Sequence, residues 1–242
     1  MKHLMTVLAL ALFATFTVST AQALTLTAAK DTYIESGLPA TNFGTSPVDL
    51  IKRQDGTAFT RISYFGFDLG SLSDMAITDA TLSLNFVDSA RGITTNTINY
   101  TFELFGLTNE TLDGWGEYSL TWNNAFGLTS SNPQTFSPTL LASLGTFSLT
   151  GKGLGAFDFT SQALIDFLNS DTNDIATIIL ARTTNQIGSN NYIHAVASRE
   201  NTALAGPSLT VTQMTPVPEP STLLLLGAGL VGIALIGRRK KN

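Results

Sequence analysis

The chain has 242 residues, with 13 Lys and Arg against 18 Asp and Glu for a formal net charge of −5, and it contains no cysteine and two histidines. Without cysteine it cannot form disulfides, thiolate zinc sites, iron–sulfur clusters or a cysteine nucleophile. Charged residues make up only 13% of the chain, which is low for a globular protein and argues against a disordered, charge-rich one. So few Lys and Arg residues also argue against general nucleic-acid binding.

Residues 1–23 have the three parts of a secretory signal peptide. Lys2 supplies a positive start, an apolar run follows, and Ala21 and Ala23 place small side chains at an A-x-A site. This pattern predicts cleavage by signal peptidase and export of the rest of the chain. The alternative is an uncleaved membrane helix, which the A-x-A ending and the Thr and Ser content disfavour.

Residues 24–216 are predicted to form a single β-rich domain. Short apolar or alternating segments, separated by turn residues, predict strands at 24–28, 31–35, 47–52, 61–67, 80–86, 99–105, 144–149, 154–159, 175–181, 192–197 and 208–212. One helix is predicted over 161–168 with Thr160 as its cap, and 127–138 is predicted to be a loop. Many short strands with one short helix indicate an all-β fold, a sandwich or a barrel.

The C-terminal segment, residues 217–242, also has three parts. Pro218, Glu219 and Pro220 precede an uncharged apolar stretch over 221–237, and four basic residues follow at 238–241. As a helix the stretch would extend about 25 Å, at the short end of what spans a membrane. The basic end would stay on the cytoplasmic side, so the domain is predicted to lie outside the inner membrane.

The order of these parts resembles the PEP-CTERM sorting signal. That resemblance implies recognition by an exosortase-type transpeptidase, transient anchoring in the inner membrane, and removal of the transmembrane sorting helix. It implies a final location in the cell envelope or the extracellular matrix. A permanent tail anchor is the alternative.

A second resemblance spans residues 28–212 and is to the DNRLRE family of secreted β-sandwiches, which includes alginate-binding carbohydrate-binding modules. The motifs that carry it occur in the family's order and include Asp31-Thr32-Tyr33, Asn42-Phe43-Gly44, Trp115-Gly116-Glu117, Leu120-Thr121-Trp122-Asn123-Asn124 and Ser198-Arg199-Glu200. Phe126 departs from the family, which often has proline there. The resemblance implies a single jelly-roll-like β-sandwich and, as in characterised members, polysaccharide binding.

No catalytic residue is predicted. His194 is the single histidine of residues 24–216, and it lies in a strand-like segment that favours an ordinary surface or packed histidine over a catalytic one. Asp113 and Glu117 have no spacing that predicts the carboxylate pair of a glycosidase. A polysaccharide lyase or hydrolase is therefore disfavoured.

Structural calcium is the candidate cofactor. Secreted jelly rolls often hold a Ca²⁺ ion, which takes six to eight oxygen ligands. Asp31 and Glu200 are the candidate ligands because the resemblance places both near the chain ends of one sandwich. Solvated loops are the alternative.

Candidate glycan contacts combine aromatic rings with basic side chains. Sugar binding needs exposed aromatic faces and planar hydrogen-bonding groups, and an acidic glycan would be met by bidentate cations. The candidates are Trp115, Tyr118, Tyr192, Lys52, Arg53, Arg61 and Arg199. The alternative for Arg61 and Arg199 is that they brace the sandwich through Asp or Glu partners.

The sequence thus predicts a non-catalytic exported protein associated with extracellular polysaccharide. The alternative is a structural or adhesive protein of a biofilm matrix or cell surface without a specific ligand. Residues 24–217 hold eight of the basic and 17 of the acidic residues, so their net charge is −9. Bulk attraction to an anionic polymer is therefore disfavoured, and an acidic glycan would need a local basic cluster.

Overall fold

A computed structural model describes residues 21–72, 75–131, 134–186, 191–214 and 227–230 of the protein. The strands are β1 Ala21–Thr27, β2 Lys30–Glu35, β3 Val48–Ile51, β4 Arg61–Asp68, β5 Ile77–Asp88, β6 Asn99–Leu107, β7 Leu128–Ser131, β8 Gln134–Phe136, β9 Leu141–Thr150, β10 Gly155–Phe159, β11 Ile175–Arg182, β12 His194–Ala197 and β13 Ser208–Met214. Helix α1 covers Gln162–Asn169, and a short 3₁₀ helix covers Glu110–Leu112. The all-β prediction is confirmed, and each predicted strand overlaps an observed one.

The strands form two main antiparallel sheets whose order is that of a jelly roll. In sheet 1, β13 and β12 pair with successive parts of one edge of β5, and β10 pairs with the other edge. Strand β1 extends this sheet beyond β13, and β3 extends it beyond β12. Sheet 2 runs β2-β4-β11-β6-β9. Counting β3, β4, β5, β6, β9, β10, β11 and β12 as strands one to eight, the central orders are one-eight-three-six and two-seven-four-five. This arrangement of two Greek keys is the predicted jelly roll.

The main hydrophobic core lies between the two sheets. In β5 the side chains of Ala80, Leu82, Leu84 and Phe86 are buried and the residues between them are half-buried, as the period-two alternation predicts. These side chains meet Phe65, Phe67, Phe102, Ile178 and Leu180 from sheet 2. Burial of this apolar surface holds the sheets together.

A second hydrophobic cluster covers the outer face of sheet 2. The connection between β6 and β9, residues 108–140, packs Trp115 and Leu120 against Ile62, Tyr64 and Ile179. Strand β4 is therefore buried on both faces. The outer face of sheet 2 is covered by the chain itself and is not an open surface.

Two local predictions were wrong. Residues 127–138 were predicted to be a loop, but they contain β7 and β8, which pair through backbone bonds and a hydroxyl contact of 2.8 Å between Thr129 and Thr135. Helix α1 is capped by Ser161 rather than Thr160, because the Ser161 hydroxyl accepts the Leu164 N–H at 3.0 Å. The Ser161 hydroxyl also donates to the Leu144 carbonyl at 2.7 Å.

The sorting predictions concern the chain ends. Ala21 and Ala23 lie at the start of β1, so cleavage after Ala23 would leave 24–27 of that strand. Pro218, Glu219 and Pro220 and the basic residues 238–241 lie outside the described residues. Residues 227–230 are helical, and within the described ranges no helix is both long and apolar enough to cross a membrane.

Candidate functional site

Four carboxylates gather at one end of the sandwich, and we call Asp31, Asp49, Glu117 and Glu200 the acidic cluster. One carboxylate oxygen from each of Asp31, Glu117 and Glu200 lies within 4.8 Å of the others. Asp49 lies close enough that the negative charges of all three act on it. The structure thus brings the two predicted calcium ligands together with Glu117, and Asp49 is a fourth, more loosely associated carboxylate.

The cluster is assembled from segments that are distant in sequence. Asp31 is on β2 and Asp49 on β3, while Glu117 lies in the 108–140 connection and Glu200 follows β12. The Asp31 N–H donates to Glu117 Oε1 at 2.9 Å. The Arg199 N–H donates to Asp31 Oδ2 at 2.8 Å, so the backbone itself holds the acidic side chains in place.

The loop that carries Glu117 is fixed by Asn42 and Gly44. The Asn42 amide donates to the carbonyls of Glu117 at 2.7 Å and Leu120 at 2.8 Å. A Cβ atom at position 44 would lie 2.4 Å from the Glu117 carbonyl oxygen, so only glycine allows this approach. Both residues belong to the Asn42-Phe43-Gly44 motif noted in the sequence.

Arg199 is the basic residue that pairs with the cluster. Its Nη1 donates to Glu117 Oε2 at 3.0 Å and Oε1 at 3.2 Å, and to the Ala29 carbonyl at 2.7 Å. Its Nε lies 3.8 Å from Glu200 Oε1, and its side chain is 41% exposed. Arg199 therefore pairs with two of the four carboxylates, and the cluster keeps an excess of negative charge.

Several buried oxygens of the cluster lack a hydrogen-bond donor. Asp31 Oδ1, both carboxylate oxygens of Asp49 and Glu200 Oε2 have no donor among the described residues. Burial raises the pKa of Asp31 to about 7. The hydrogen bond from the Arg199 backbone lowers this pKa, and the negative charges of Glu200 and Glu117 raise it further. Burial, with the same acidic neighbours, also raises the pKa of Asp49 well above its ordinary value.

Tyr118 is the exposed aromatic residue beside this cluster. Its side chain is 65% exposed, and a hydrogen bond from its hydroxyl to Glu117 raises the pKa of Tyr118. Arg199 is also near Tyr118 and opposes that shift. An open ring therefore stands next to a half-exposed guanidinium, which is the combination expected of a sugar contact.

The other two predicted aromatic contacts lie in the interior. The Trp115 Nε1 donates to Thr177 Oγ1 at 3.0 Å, and the Lys30 ammonium lies 4.5 Å from the Trp115 ring centroid. Tyr192 is buried and its hydroxyl donates to Asp88 Oδ1 at 3.0 Å. Neither ring therefore offers an open face to a sugar.

The remaining predicted basic contacts are engaged with the protein itself. Arg61 is buried and pairs with Glu35 through Nη2–Oε1 at 2.6 Å and Nε–Oε2 at 3.1 Å. Arg53 pairs with Asp55 at 2.7 Å, and the buried Lys52 donates to Asn191. Bracing of the sandwich, the alternative considered for Arg61, describes these contacts better than an open anion site.

His194 is packed in the interior. Its Nε2 donates to the Gly151 carbonyl at 3.0 Å, while Arg182 Nη1 lies 3.5 Å from its Nδ1. Burial, together with the Arg182 charge, lowers the pKa of His194 to about 3. Of the two environments expected for an ordinary histidine, surface or packed, His194 has the packed one.

Asp49 and Glu117 were missed as partners of Asp31 and Glu200. Asp49 stands in the otherwise apolar strand Val48–Ile51, and a carboxylate in such a strand is an unusual burial that signals a partner or an ion. Glu117 belongs to the Trp115-Gly116-Glu117 motif. Their proximity to Asp31 depends on long-range pairing that no local pattern reveals.

Comparison with known families matches two parts of the chain. Residues 216–241 match the PEP-CTERM protein-sorting motif, which implies exosortase-dependent sorting and indicates an exported, envelope-associated protein. Residues 22–213 match carbohydrate-binding module family 96. Families of this kind are binding modules, and this one suggests carbohydrate binding.

Whole-chain comparisons add little. No curated protein matches the chain. Among solved structures, a recombinant latent aurone synthase (polyphenol oxidase) co-crystallised with hexatungstotellurate(VI) and soaked in H2O2 is similar at 14% identity and a TM-score of 0.28, over 65% of this chain and 25% of that one. The natural-source enzyme gives 12% identity and a TM-score of 0.25, over 72% and 25%. The match thus spans about a quarter of those chains, and it carries no functional argument.

The match to carbohydrate-binding module family 96 covers most of the chain. It begins within β1 and ends within β13, so it includes both sheets, the 108–140 connection and every member of the acidic cluster. The chain belongs to carbohydrate-binding module family 96.

Proposed function

We propose that this protein is a non-catalytic, exported β-sandwich that binds extracellular polysaccharide and is sorted to the cell envelope or matrix by an exosortase-type transpeptidase. The observation that carries the proposal is the match of a carbohydrate-binding family to the whole sandwich. The sorting motif at residues 216–241 supports the location. Signal peptidase would remove residues 1–23, and residues 221–237 would anchor the chain in the inner membrane until exosortase acts.

The contact surface is formed by Tyr118 and Arg199. The Tyr118 ring is the open aromatic face beside the cluster, and sugar rings pack on such faces through their C–H groups. Arg199 Nη1 makes the side-chain hydrogen bonds described above, which leaves Nη2 without a hydrogen-bond partner within the described ranges. Nη2 can therefore donate to a hydroxyl or carboxylate of the glycan.

The glycan class follows from charge. The net charge of −9 in residues 24–217 opposes a polyanion, and the acidic cluster lies directly beside Tyr118. A neutral polysaccharide is therefore the favoured ligand. Alginate is the acidic comparison, because the DNRLRE family, which the chain resembles, includes alginate-binding modules.

Replacing Tyr118 by alanine should weaken glycan binding about tenfold, because the loss of one stacked ring corresponds to roughly 1.4 kcal/mol. Affinity electrophoresis of the full chain in detergent, in gels containing laminarin, soluble cellulose derivatives, soluble chitin or alginate, measures this change. Phe59→Ala is the matched control, since Phe59 is another exposed aromatic residue, with 50% of its surface accessible, but lies on the loop between β3 and β4. Loss of retardation in Phe59→Ala with none in Tyr118→Ala would overturn the placement. Unchanged wild-type mobility in every gel would overturn glycan binding.

A second candidate function, a structural matrix protein without a specific ligand, is favoured by the outer face of sheet 1. That face carries many polar side chains, such as the Thr25 and Thr210 hydroxyls, which are 2.8 Å apart, and the Ser83 hydroxyl, which donates to Asp158 at 2.6 Å. Such a hydrated polar surface suits dense packing in a matrix. Matrix localisation that persists while every glycan gel shows no retardation would support this candidate over the first.

Exosortase processing should shorten the chain at the Pro218-Glu219-Pro220 motif. In the native host, mass spectrometry of the surface-extracted protein should show an N-terminus at Leu24 and no peptide from residues 238–242. Substituting all three motif residues by alanine should retain the basic tail and keep the protein in the inner-membrane fraction. An intact tail on the wild-type surface protein would contradict exosortase processing and favour a permanent anchor.

A further inference from the structure

We propose that the acidic cluster of Asp31, Asp49, Glu117 and Glu200 binds a Ca²⁺ ion that joins four segments of the sandwich. The proposal goes beyond carbohydrate binding, and its test needs no sugar. It also goes beyond the Asp31 and Glu200 pair expected from the sequence, because the structure places a Glu117 oxygen within 4.8 Å of both and the buried Asp49 where the charges of all three act on it.

The geometry fits one hard cation. Calcium is bound by oxygen at 2.3–2.6 Å, so two ligands on opposite sides of the ion are separated by about 4.6–5.2 Å. The carboxylate oxygens of Asp31, Glu117 and Glu200 lie within 4.8 Å of one another. The donor set is all carboxylate, which favours calcium over metals that prefer nitrogen or sulfur.

Unpartnered buried oxygens provide an independent indication of a ligand. Asp31 and Asp49 are each 1% exposed, yet Asp31 Oδ1 and both oxygens of Asp49 have no hydrogen-bond donor among the described residues. A buried polar atom without a partner is costly, and a buried charge more so. A cation would satisfy these oxygens and the equally unpartnered Glu200 Oε2.

The charge balance also favours a cation. Arg199 pairs with Glu117 and lies 3.8 Å from Glu200, and Lys30 interacts with Glu117 at longer range. Neither donates to the free oxygens of Asp31 or Asp49. Two positive charges on the ion would offset the repulsion between carboxylates that Arg199 leaves uncompensated.

The ion would connect the fold to the proposed glycan contact. Its ligands come from β2, β3, the 108–140 connection and the segment after β12. Glu117 directly precedes Tyr118, and Glu200 directly follows Arg199. A bound ion would therefore fix the backbone at both proposed contact residues and link regions of the chain that are up to 169 residues apart.

The test is a thermal melt of the full chain in detergent, stripped with EGTA and then titrated with Ca²⁺ or Mg²⁺. At a hundredfold excess over its Kd, Ca²⁺ should raise Tm by about 5–10 °C, and elemental analysis should give one calcium per chain. Mg²⁺ should shift Tm much less, because it requires a tighter octahedral site. No shift with millimolar Ca²⁺ would overturn the proposal, and an equal shift with Mg²⁺ would overturn the assignment to calcium.

Variants separate ion binding from a merely structural role. Asp49→Asn should lose most of the Ca²⁺-induced shift, yet in EGTA it should melt no lower than wild type, because it removes an unpartnered buried carboxylate. The matched control is Asp113→Asn, another aspartate that is 1% exposed but outside the acidic cluster, and it should keep the full shift. Tyr118→Ala should also keep it, so that failure of glycan binding and failure of ion binding are distinguishable. A full Ca²⁺ shift in Asp49→Asn, or equal losses in Asp49→Asn and Asp113→Asn, would overturn the proposed site.

Discussion

Replacing Glu35 by glutamine should lower the free energy of unfolding by about 3–5 kcal/mol, because it leaves the Arg61 guanidinium buried without its counter-ion. The two side chains are only 6% and 8% exposed and form a two-point ion pair at 2.6 and 3.1 Å. Arg61 also donates to the Phe59 carbonyl at 3.1 Å, which does not neutralise its charge. Urea unfolding followed by tryptophan fluorescence measures the change.

The double variant Glu35→Gln with Arg61→Met tests the cause. Removing both charges should restore most of the stability, since replacing a whole buried pair is often close to neutral. The Lys152–Asp88 pair, 42% exposed on both sides, is the control, and Lys152→Met should cost less than about 1 kcal/mol. A double variant no more stable than Glu35→Gln, or a loss of glycan retardation in a folded double variant, would contradict the bracing role assigned to Arg61.

Replacing Phe102 by alanine should lower the free energy of unfolding by about 3–5 kcal/mol. The ring is fully buried, stacks on Phe147 at a centroid distance of 5.1 Å, and meets Phe86 edge-on at 5.9 Å. Its removal leaves a cavity between the two sheets and breaks both aromatic contacts. The same urea titration should show a lower midpoint with an unchanged slope.

Phe102→Leu and Phe59→Ala complete this experiment. Leucine refills much of the space and should recover part of the loss, while the half-exposed Phe59 should cost less than about 1 kcal/mol. Equal losses for Phe102→Ala and Phe59→Ala would show that the aromatic cluster between the sheets does not determine stability.

Alternation in the sequence was sufficient to predict those strands of sheet 1 that have one polar face. Strand β5 shows this most clearly, with its apolar residues buried and its Thr, Ser and Asn residues half-buried. Helix α1 was predictable for a similar reason, since Leu164, Phe167 and Leu168 share a face. These signals are local, so no long-range information was needed.

The burial of β4 on both faces and the formation of β7 and β8 depend on contacts with residues outside those segments, which local sequence patterns do not predict. Strand β4 has no exposed face because a connection 40 or more residues later covers it. Strands β7 and β8 lie in a stretch rich in Gly, Ser and Asn that is typical of loops, and they are held by packing of Leu128 and Phe136 on the second cluster. Local composition carries no record of that packing.

In the candidate site, too, some residues could be predicted from the sequence and others only from the tertiary structure. Asp31 and Glu200 could be associated through the resemblance to a family, but Asp49 and Glu117 join them only through tertiary structure. Among the predicted glycan contacts, the sequence alone could not distinguish the exposed Tyr118 from the buried Trp115 three residues earlier. Their difference arises from the turn between them, which directs one ring to the interior and the other to solvent.

The pairing of the first strand with the last has a consequence for how this protein folds. Thr25 in β1 and Thr210 in β13 are 185 residues apart and in hydroxyl contact, and the central strand β5 takes both β12 and β13 as neighbours. Folds dominated by such distant contacts fold slowly. A chain that ends before β12 exposes an unpaired edge of β5, which is a template for aggregation. The sandwich is therefore complete only when the last paired residue of β13, Gln213, is in place, and the segment that matches the sorting motif begins three residues later.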